Sequence, residues 1–155
     1  MKQPPTYQYL LDKAENYCAS SEHCAQDVVE KLYAWGCRDK TWQTQIVDHL
    51  VELSFINDER YCRAFVHDKL RFQGWGRQKI SMMLHLKHLS EHAIEAALSD
   101  IDEDEYRQVA LRVARSRLAG LVSDESTSLK MMRYMLQRGF EYEMSKSVIE
   151  TSLSD

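Results

Sequence analysis

Three histidines that lie close together, His85, His88 and His92, are the first candidates for chemistry in this sequence. Neutral imidazole is a common ligand of zinc. His92 follows a predicted break at Ser90, however, and no cysteine is adjacent, so a solvated polar face is the better interpretation. The acidic run over residues 100–105 lacks the spacing of a calcium loop and suits the start of a helix. We therefore expect no metal and no cofactor.

Catalytic motifs are absent from the sequence. It contains no Walker loop, GxSxG, HExxH or GxGxxG pattern, and the segment Gly74-Trp75-Gly76 is too short to cradle a phosphate. Disulfides are possible on count alone, but we expect free thiols in a reducing cytosol, because no apolar signal-peptide core is present. The interpretation is a cytoplasmic protein that is not an enzyme. The four cysteines are Cys18, Cys24, Cys37 and Cys62.

Basic residues are grouped into stretches that contain no acid, although the net charge of the chain is −4. These stretches are residues 69–90, 106–123 and 126–140. Such runs are often only solvated faces. The functional alternative is a basic surface shared by the second and third parts of the chain, which would meet DNA phosphates or an acidic protein groove. The candidates for partner contact are Lys69, Arg71, Trp75, Arg77, Lys79, Lys87, Arg112, Arg115, Arg117, Lys130, Arg133 and Arg138.

Three aromatic residues lie at or beside predicted breaks in the chain: Phe72, Trp75 and Phe140. Large aromatic side chains frequently anchor protein interfaces when they are exposed. The alternative is that they cap the core. Trp75 is the member of this group that we retain as a candidate for partner contact.

Helices must position all of these residues. Prolines occur only at positions 4 and 5, and no long alternation typical of strands appears. Apolar residues recur instead at helical spacing, as in Ala25, Val28 and Leu32. In the eighth predicted helix this spacing selects Leu129, Met132, Met135 and Leu136. The predicted helices cover residues 7–19, 25–35, a segment from a cap at Asp39 or Thr41 to Leu53, then 60–72, 77–88, 91–98, 102–119, 126–138 and 141–153.

The helical pattern repeats with a period of about 50 residues. Each copy has two apolar residues four apart and a third position that ends the helix. These sets are Val28/Leu32/Gly36, Ile80/Leu84/His88 and Met131/Met135/Gly139, and the pairs Ile46/Leu50, Ile94/Leu98 and Ile149/Leu153 match likewise. Chance agreement is the alternative. We predict an all-α fold of three tandem three-helix repeats stacked into an elongated, curved array, with an N-terminal arm at 1–6 and repeats at 7–55, 56–100 and 101–155.

The middle copy carries a more specific pattern. Residues 55–61, Phe-Ile-Asn-Asp-Glu-Arg-Tyr, are followed by Gly74-Trp75-Gly76, which opens the next helix. This pattern resembles the central signature of the RecX regulatory proteins, a family of three tandem three-helix repeats. The resemblance covers nearly the whole chain. The chain departs from the family pattern at Arg77, where proline is frequent, at Met83, where an acid is frequent, and at His88, where glycine is usual.

The resemblance implies a non-enzymatic modulator of the recombinase RecA in DNA repair, recombination and the SOS response. Such proteins bind in the groove of the RecA–DNA filament and reduce strand exchange, ATP hydrolysis and coprotease activity. A stacked array suits this role because it contacts several subunits at once. The expected partner is the RecA filament, with single- or double-stranded DNA as a further partner, no membrane, and a monomeric chain. The alternatives are a helical protein that binds DNA directly and a scaffold for another protein.

Overall fold

The computed structural model describes residues 3–155, which contain nine α-helices and no strand. The predicted helices are confirmed to within about two residues at each end. Residues 1 and 2 of the predicted arm lie outside the described residues, and Pro5 lies beside Gly36. The helices are α1 (Tyr7–Ser20), α2 (Ala25–Ala34), α3 (Lys40–Glu52), α4 (Asp58–Arg71), α5 (Arg77–Leu86), α6 (Glu91–Ser99), α7 (Glu103–Ala119), α8 (Thr127–Gln137) and α9 (Tyr142–Ser154).

Short polar side chains start most of these helices. The N-cap residues Asp39, Asn57, Ser90 and Asp102 each accept a hydrogen bond from a backbone amide of the first turn. Such a bond satisfies an amide that has no partner within the helix. Asn57 caps α4, with its side chain accepting from the amide of Arg60 (2.8 Å). The neighbouring Asp58 instead accepts a hydrogen bond from the amide of Ser90 (3.2 Å), which ties the start of α4 to the start of α6.

The second helix of each repeat ends in the same way. The residue after the last turn adopts a positive φ angle, which is +98° at Gly36, 62° at His88 and 94° at Gly139. The next amide then donates to a carbonyl one turn back, as expected for a Schellman ending. These bonds are Cys37 to Leu32 (2.8 Å), Leu89 to Leu84 (3.4 Å) and Phe140 to Met135 (3.1 Å). The positions aligned by sequence period are therefore structurally equivalent. The backbone of His88 adopts a left-handed conformation that is rare for residues other than glycine.

Two hydrophobic cores hold the helices together. The first belongs to α1, α2 and α3 and is centred on Leu10, Leu32 and Leu50. The second is continuous through α4 to α9, because α4 packs against α7 as well as against its own neighbours. Cys24, at the start of α2, belongs to the second core. The repeats therefore follow one another in a row, with the second and third fused more closely than the first and second.

The inward face of α8 differs from the one that its apolar spacing predicted. Met131 and Met135 are fully buried, whereas Leu129 and Leu136 are 54% and 43% exposed. The apolar residues of α8 follow two overlapping patterns at helical spacing. The repeat alignment, which matches Met131 and Met135 with Val28 and Leu32, identifies the buried pattern. Phe140, a candidate exposed aromatic, is also fully buried.

The last helix shows a second departure. Leu153, predicted inward, is exposed, and Ser152 is buried in its place. Ser145 and Ser152 donate to carbonyls of their own helix, which satisfies their hydroxyls away from water. Small side chains on this face let α9 pack closely against α7. A pattern based on large apolar residues misses such a face.

All four cysteines are buried and free. Burial, together with a nearby acid, raises the pKa of the Cys18 and Cys62 thiols to about 11. Thiolate is the reactive form of cysteine, so these side chains act as inert core groups at neutral pH. Within residues 3–155, no helix combines the length and apolar character that a bilayer span requires.

Candidate partner-binding surface

The break between α4 and α5 is a close backbone contact between repeats two and three. The amide of Gly76 donates to the carbonyl of Arg138 (2.7 Å), and the amide of Gln78 donates to Gly139 (3.0 Å). A Cβ atom on Gly76 would lie 2.3 Å from the carbonyl carbon and oxygen of Gly139. Gly76 and Gly139 therefore form a glycine contact in which two backbones meet. The Gly74–Gly76 segment does stop and restart a helix, but it is a fixed docking point and not a free hinge.

Arg77 follows this glycine contact and joins the same two repeats. Its guanidinium forms ion pairs with Glu103 and with Glu141 (3.1 Å for the latter), and it lies 3.9 Å from the centre of the Tyr106 ring. The Tyr106 hydroxyl accepts from the backbone amide of Arg77 (3.0 Å) and donates to Glu141. Burial, then the bond to Glu141, raises the pKa of Tyr106, so the phenol remains a donor at neutral pH. The positive charge of Arg77 is thus balanced by two carboxylates of the protein itself.

Trp75 forms the centre of a second arrangement at the break. The Nζ atoms of Lys69 and Lys79 lie 5.0 Å and 4.3 Å from the centre of a half-buried Trp75 ring. The edge of Phe65 contacts the same ring, with centroids 6.4 Å apart. Cation–π attraction holds both ammonium groups in place. Lys69 also lies 3.7 Å from Asp68, whereas Lys79 forms no ion pair among the described residues.

A groove lies on the other side of the same break. The arginine groove, as we call it, is lined by Arg71, Phe72, Gln73, Gly74, Arg112, Val113, Ser116, Tyr134 and Arg138. Arg112 donates to the carbonyl of Arg71 (2.9 Å), and Arg138 donates to Gly74 (3.0 Å) and Gln73. These bonds cap the end of α4, whose last carbonyls have no helical partner. At the rim, Phe72 is 74% exposed.

The charge balance of the arginine groove is positive. Arg71 is neutralised by Glu105, which it contacts through two guanidinium nitrogens, and this hydrogen bonding lowers the pKa of Glu105. Arg112 and Arg138 are bonded only to uncharged oxygens among the described residues. Two positive charges therefore remain beside an exposed aromatic ring. Such an arrangement attracts phosphates or carboxylates.

Besides the paired Arg77, the structure places six of the twelve candidates at the α4–α5 break: Lys69, Arg71, Trp75, Lys79, Arg112 and Arg138. The remaining basic residues lie elsewhere or are paired. Arg117 stacks on the Tyr134 ring (5.1 Å), and Arg133 is exposed on α8. The paired ones, besides Arg77, are Lys87 with Asp27 (2.8 Å), Arg115 with Asp155 and Lys130 with Asp124 (3.9 Å).

The three histidines do not converge. His85 contacts Glu91 (2.8 Å), His92 contacts Glu59 (3.5 Å), and His88 ends α5. Throughout the described part of the chain, no three His, Cys, Asp or Glu side chains are grouped as metal ligands would be.

The sequence reasoning missed the acids that pair with this surface. Glu103 and Glu105 were assigned only to the helix dipole of α7, yet they also bind Arg77 and Arg71. Glu141 was not singled out at all. The sequence carries a weak signal of this pairing. The start of α7 in repeat three is acidic, and it pairs with bases of the acid-free stretch 69–90 in repeat two.

The joint between repeats one and two combines the buried contact of Cys24 with two ion pairs. Lys87 binds Asp27 (2.8 Å), and Arg60 binds Glu22. Burial favours the neutral forms of Asp27 and Lys87, but their mutual hydrogen bond and attraction outweigh it. The pKa of Asp27 is therefore lowered and that of Lys87 is raised. The pair is fully charged between the ordinary pKa values of aspartate and lysine, which includes neutral pH.

Lys87→Met is expected to destabilise the protein by about 2 kcal/mol at pH 7, somewhat less than loss of one partner of a fully buried pair. Asp27 stabilises the fold only while it is ionised, since its folded pKa is lowered, so this contribution disappears as pH falls through that pKa. Urea unfolding at pH 7 and at pH 3 should show the difference from wild type shrinking in acid. Lys130→Met, which breaks a solvent-exposed pair, should change stability by at most about 0.5 kcal/mol. An equal loss for Lys87→Met at both pH values would contradict the electrostatic explanation.

Comparison with known proteins identifies this architecture. Residues 57–98 match a family model described as the second three-helix domain of RecX. A regulatory protein RecX from Clostridium botulinum (strain Eklund 17B / Type B) is 33% identical over 133 residues, which is 83% of this chain and 61% of that protein. One from Clostridium beijerinckii is 28% identical and is covered over 71% of its length.

Solved structures agree on the fold. The crystal structure of RecX from Lactobacillus salivarius superposes with a TM-score of 0.78 at 19% identity, over 96% of this chain and 97% of the other. The chain spans about three fifths of the length of the first of the clostridial relatives. The repeat positions, the signature at the α4–α5 break and these relatives agree. The chain belongs to the RecX family of regulatory proteins.

Proposed function

We propose that this chain binds the RecA–DNA filament and inhibits the recombinase, ATPase and coprotease activities of RecA, acting by binding and not by catalysis. Membership of the RecX family supports the partner. The observation that carries the proposal is the surface at the α4–α5 break. There, Lys79, Arg112 and Arg138 have no acidic partner within residues 3–155 and lie next to Trp75 and Phe72. The proposed partner places the protein in the cytoplasm.

The rigidity of this surface supports the proposal. The glycine contact and the shared core hold repeats two and three as one body, so the charges keep their relative positions before a partner arrives. Pre-organisation of this kind lowers the cost of binding. An acidic or phosphate-bearing groove would meet two arginines, a lysine and two aromatic rings at once.

The combined substitutions Lys79→Glu and Arg112→Glu are expected to raise the concentration needed for half-maximal inhibition of RecA ATPase at least about tenfold, since charge reversal opposes an acidic partner. Circular dichroism should remain near wild type, and urea unfolding should show a loss of no more than about 2 kcal/mol, which reflects the cation–π contact of Lys79 with Trp75 and the bond from the exposed Arg112 to the carbonyl of Arg71. Lys40→Glu with Lys146→Glu makes the same change in net charge on exposed positions of α3 and α9. This control should inhibit normally. Full inhibition by the first pair would remove the surface from the proposal.

The alternative function is direct binding of nucleic acid. It is favoured by the exposed ring of Phe72 beside Arg112 and Arg138, because bases stack on aromatic rings while arginines contact phosphates. Fluorescence anisotropy with an oligo(dT) strand, without RecA, distinguishes the two functions. Binding that falls steeply with salt supports the alternative. Absence of binding at low salt, together with inhibition of RecA, supports the filament as the partner.

A further inference from the structure

The outer face of α8 carries an apolar stripe that is largely exposed, although its member Met132 also packs against the second core. Leu129 and Leu136 are 54% and 43% exposed, and Met132 lies half-buried between them. Their spacing of three and four residues places them on one side of the helix. The opposite side supplies Met131 and Met135 to the core, where both are fully buried. The stripe is therefore available to a partner.

Arg133 lies within this stripe. It is four residues after Leu129 and three before Leu136, so it shares their face. Of the other two bases of the acid-free stretch, Lys130 lies 3.9 Å from Asp124, and Arg138 belongs to the arginine groove, where it donates to the carbonyls of Gln73 and Gly74. Arg133 is exposed and forms no hydrogen bond or ion pair within residues 3–155. The outer face of α8 thus combines apolar side chains with one uncommitted positive charge.

The shape and charge of this face indicate the kind of partner that would bind it. Apolar anchors at helical spacing are matched by an amphipathic helix, which lays its own apolar side along the stripe. The positive charge of Arg133 favours a carboxylate at the centre of the contact. A basic or neutral helix would cover this charge without providing a partner for it. Double-stranded DNA fits poorly, because two leucines and a methionine surround the single arginine.

We propose that the outer face of α8, formed by Leu129, Met132, Arg133 and Leu136, docks an acidic amphipathic helical segment of a RecA protomer in the filament. This inference rests on the proposed function and adds the chemistry of a protein–protein contact to it. The face is separate from the arginine groove. Contact with phosphates or carboxylates at the groove and contact with protein at α8 would together fix the orientation of the array.

Site-specific cross-linking tests the proposal. The substitution Leu136→p-benzoylphenylalanine places a photo-reactive group in the stripe, and Leu86→p-benzoylphenylalanine places it at a more exposed position on the outer face of α5. Each full-length variant is irradiated with RecA filaments assembled on oligo(dT). We expect the first to cross-link to a helical RecA segment that contains Asp or Glu, as mapped by mass spectrometry. Cross-linking to the oligonucleotide, or equal cross-linking from both positions, would overturn the proposal.

Two double variants measure how much this face contributes to the affinity for the filament. Leu129→Ser with Leu136→Ser is expected to weaken filament binding at least about tenfold, while Met82→Ser with Leu86→Ser on α5 should leave it within about twofold. All four side chains are more than two fifths exposed, so the fold should persist. Normal binding by the α8 pair would overturn this inference and leave the proposed function intact. Failure of the wild-type chain to bind filaments would instead overturn the proposed function.

Discussion

Gly76→Ala is expected to destabilise the protein by about 3 kcal/mol or more, at or above the upper end of the usual cost of overpacking. The added methyl group would lie 2.3 Å from the carbonyl group of Gly139 and 2.4 Å from the amide nitrogen of Phe140. These are backbone atoms, which cannot move aside as the tip of a side chain can. The two backbones must separate, and the hydrogen bonds from Gly76 and Gln78 to the end of α8 are then lost.

Urea unfolding followed by circular dichroism measures this effect. The control is Gly120→Ala, because a methyl group at Gly120 meets nothing closer than a carbonyl oxygen at 3.6 Å, and its φ angle is negative. That variant should remain within about 0.5 kcal/mol of wild type, as surface substitutions usually do. If Gly76→Ala behaves like the control, the glycine contact does not hold repeats two and three together.

The contrast between the two joints explains why this glycine matters. Repeats two and three share a core, backbone hydrogen bonds and the ion pairs of Arg77. Repeats one and two are joined mainly by Lys87 with Asp27 and by Arg60 with Glu22. Apolar contacts and backbone bonds resist changes of pH and salt, whereas ion pairs respond to both. The basic surface lies on repeats two and three, which share a core. Repeat one is attached to them largely through ion pairs, whose strength depends on pH and salt.

Much of this fold follows from local signals in the sequence. Asp39, Asn57, Ser90 and Asp102 start helices because their side chains satisfy nearby amides. The period of about 50 residues also selects the equivalent left-handed positions, including His88, which local propensity alone would not assign. Apolar spacing within one helix was less informative: on α8 it selected the buried Met135, but it also selected the exposed Leu129 and Leu136 and missed the buried Met131. Comparison between repeats corrects that error.

The partners of the basic residues could not be predicted in the same way. Arg71 and Glu105 are far apart in sequence, as are Arg77 and Glu141, so their pairing depends on how two repeats dock. Nothing in the spacing of charges distinguishes Arg77, which forms two ion pairs, from Lys79, which forms none in the described part of the chain. The sequence therefore named the basic residues as candidates but did not separate those that pair within the protein from those that have no acidic partner among residues 3–155.

Arg77→Glu is accordingly expected to destabilise the protein by about 2 kcal/mol or more, because it replaces a mostly buried cation, paired with two partly exposed carboxylates, by a third carboxylate. The side chain of Arg77 is only 21% exposed, and the change would place a third carboxylate beside Glu103 and Glu141. The buried Tyr106 would also lose the cation that covers its ring. Lys79→Glu removes only a cation–π contact with Trp75, worth about 0.5–1 kcal/mol at an exposed site.

The two variants should therefore separate stability from binding. Urea unfolding should show a large loss for Arg77→Glu and a small one for Lys79→Glu. Filament binding at a temperature where both variants are folded should be weakened by Lys79→Glu. Arg77→Lys is a useful intermediate, because it keeps the charge but cannot bridge two carboxylates with a planar fork. If Arg77→Glu is as stable as Lys79→Glu and still loses binding, Arg77 is an available contact and the ion pairs with Glu103 and Glu141 contribute little to the fold.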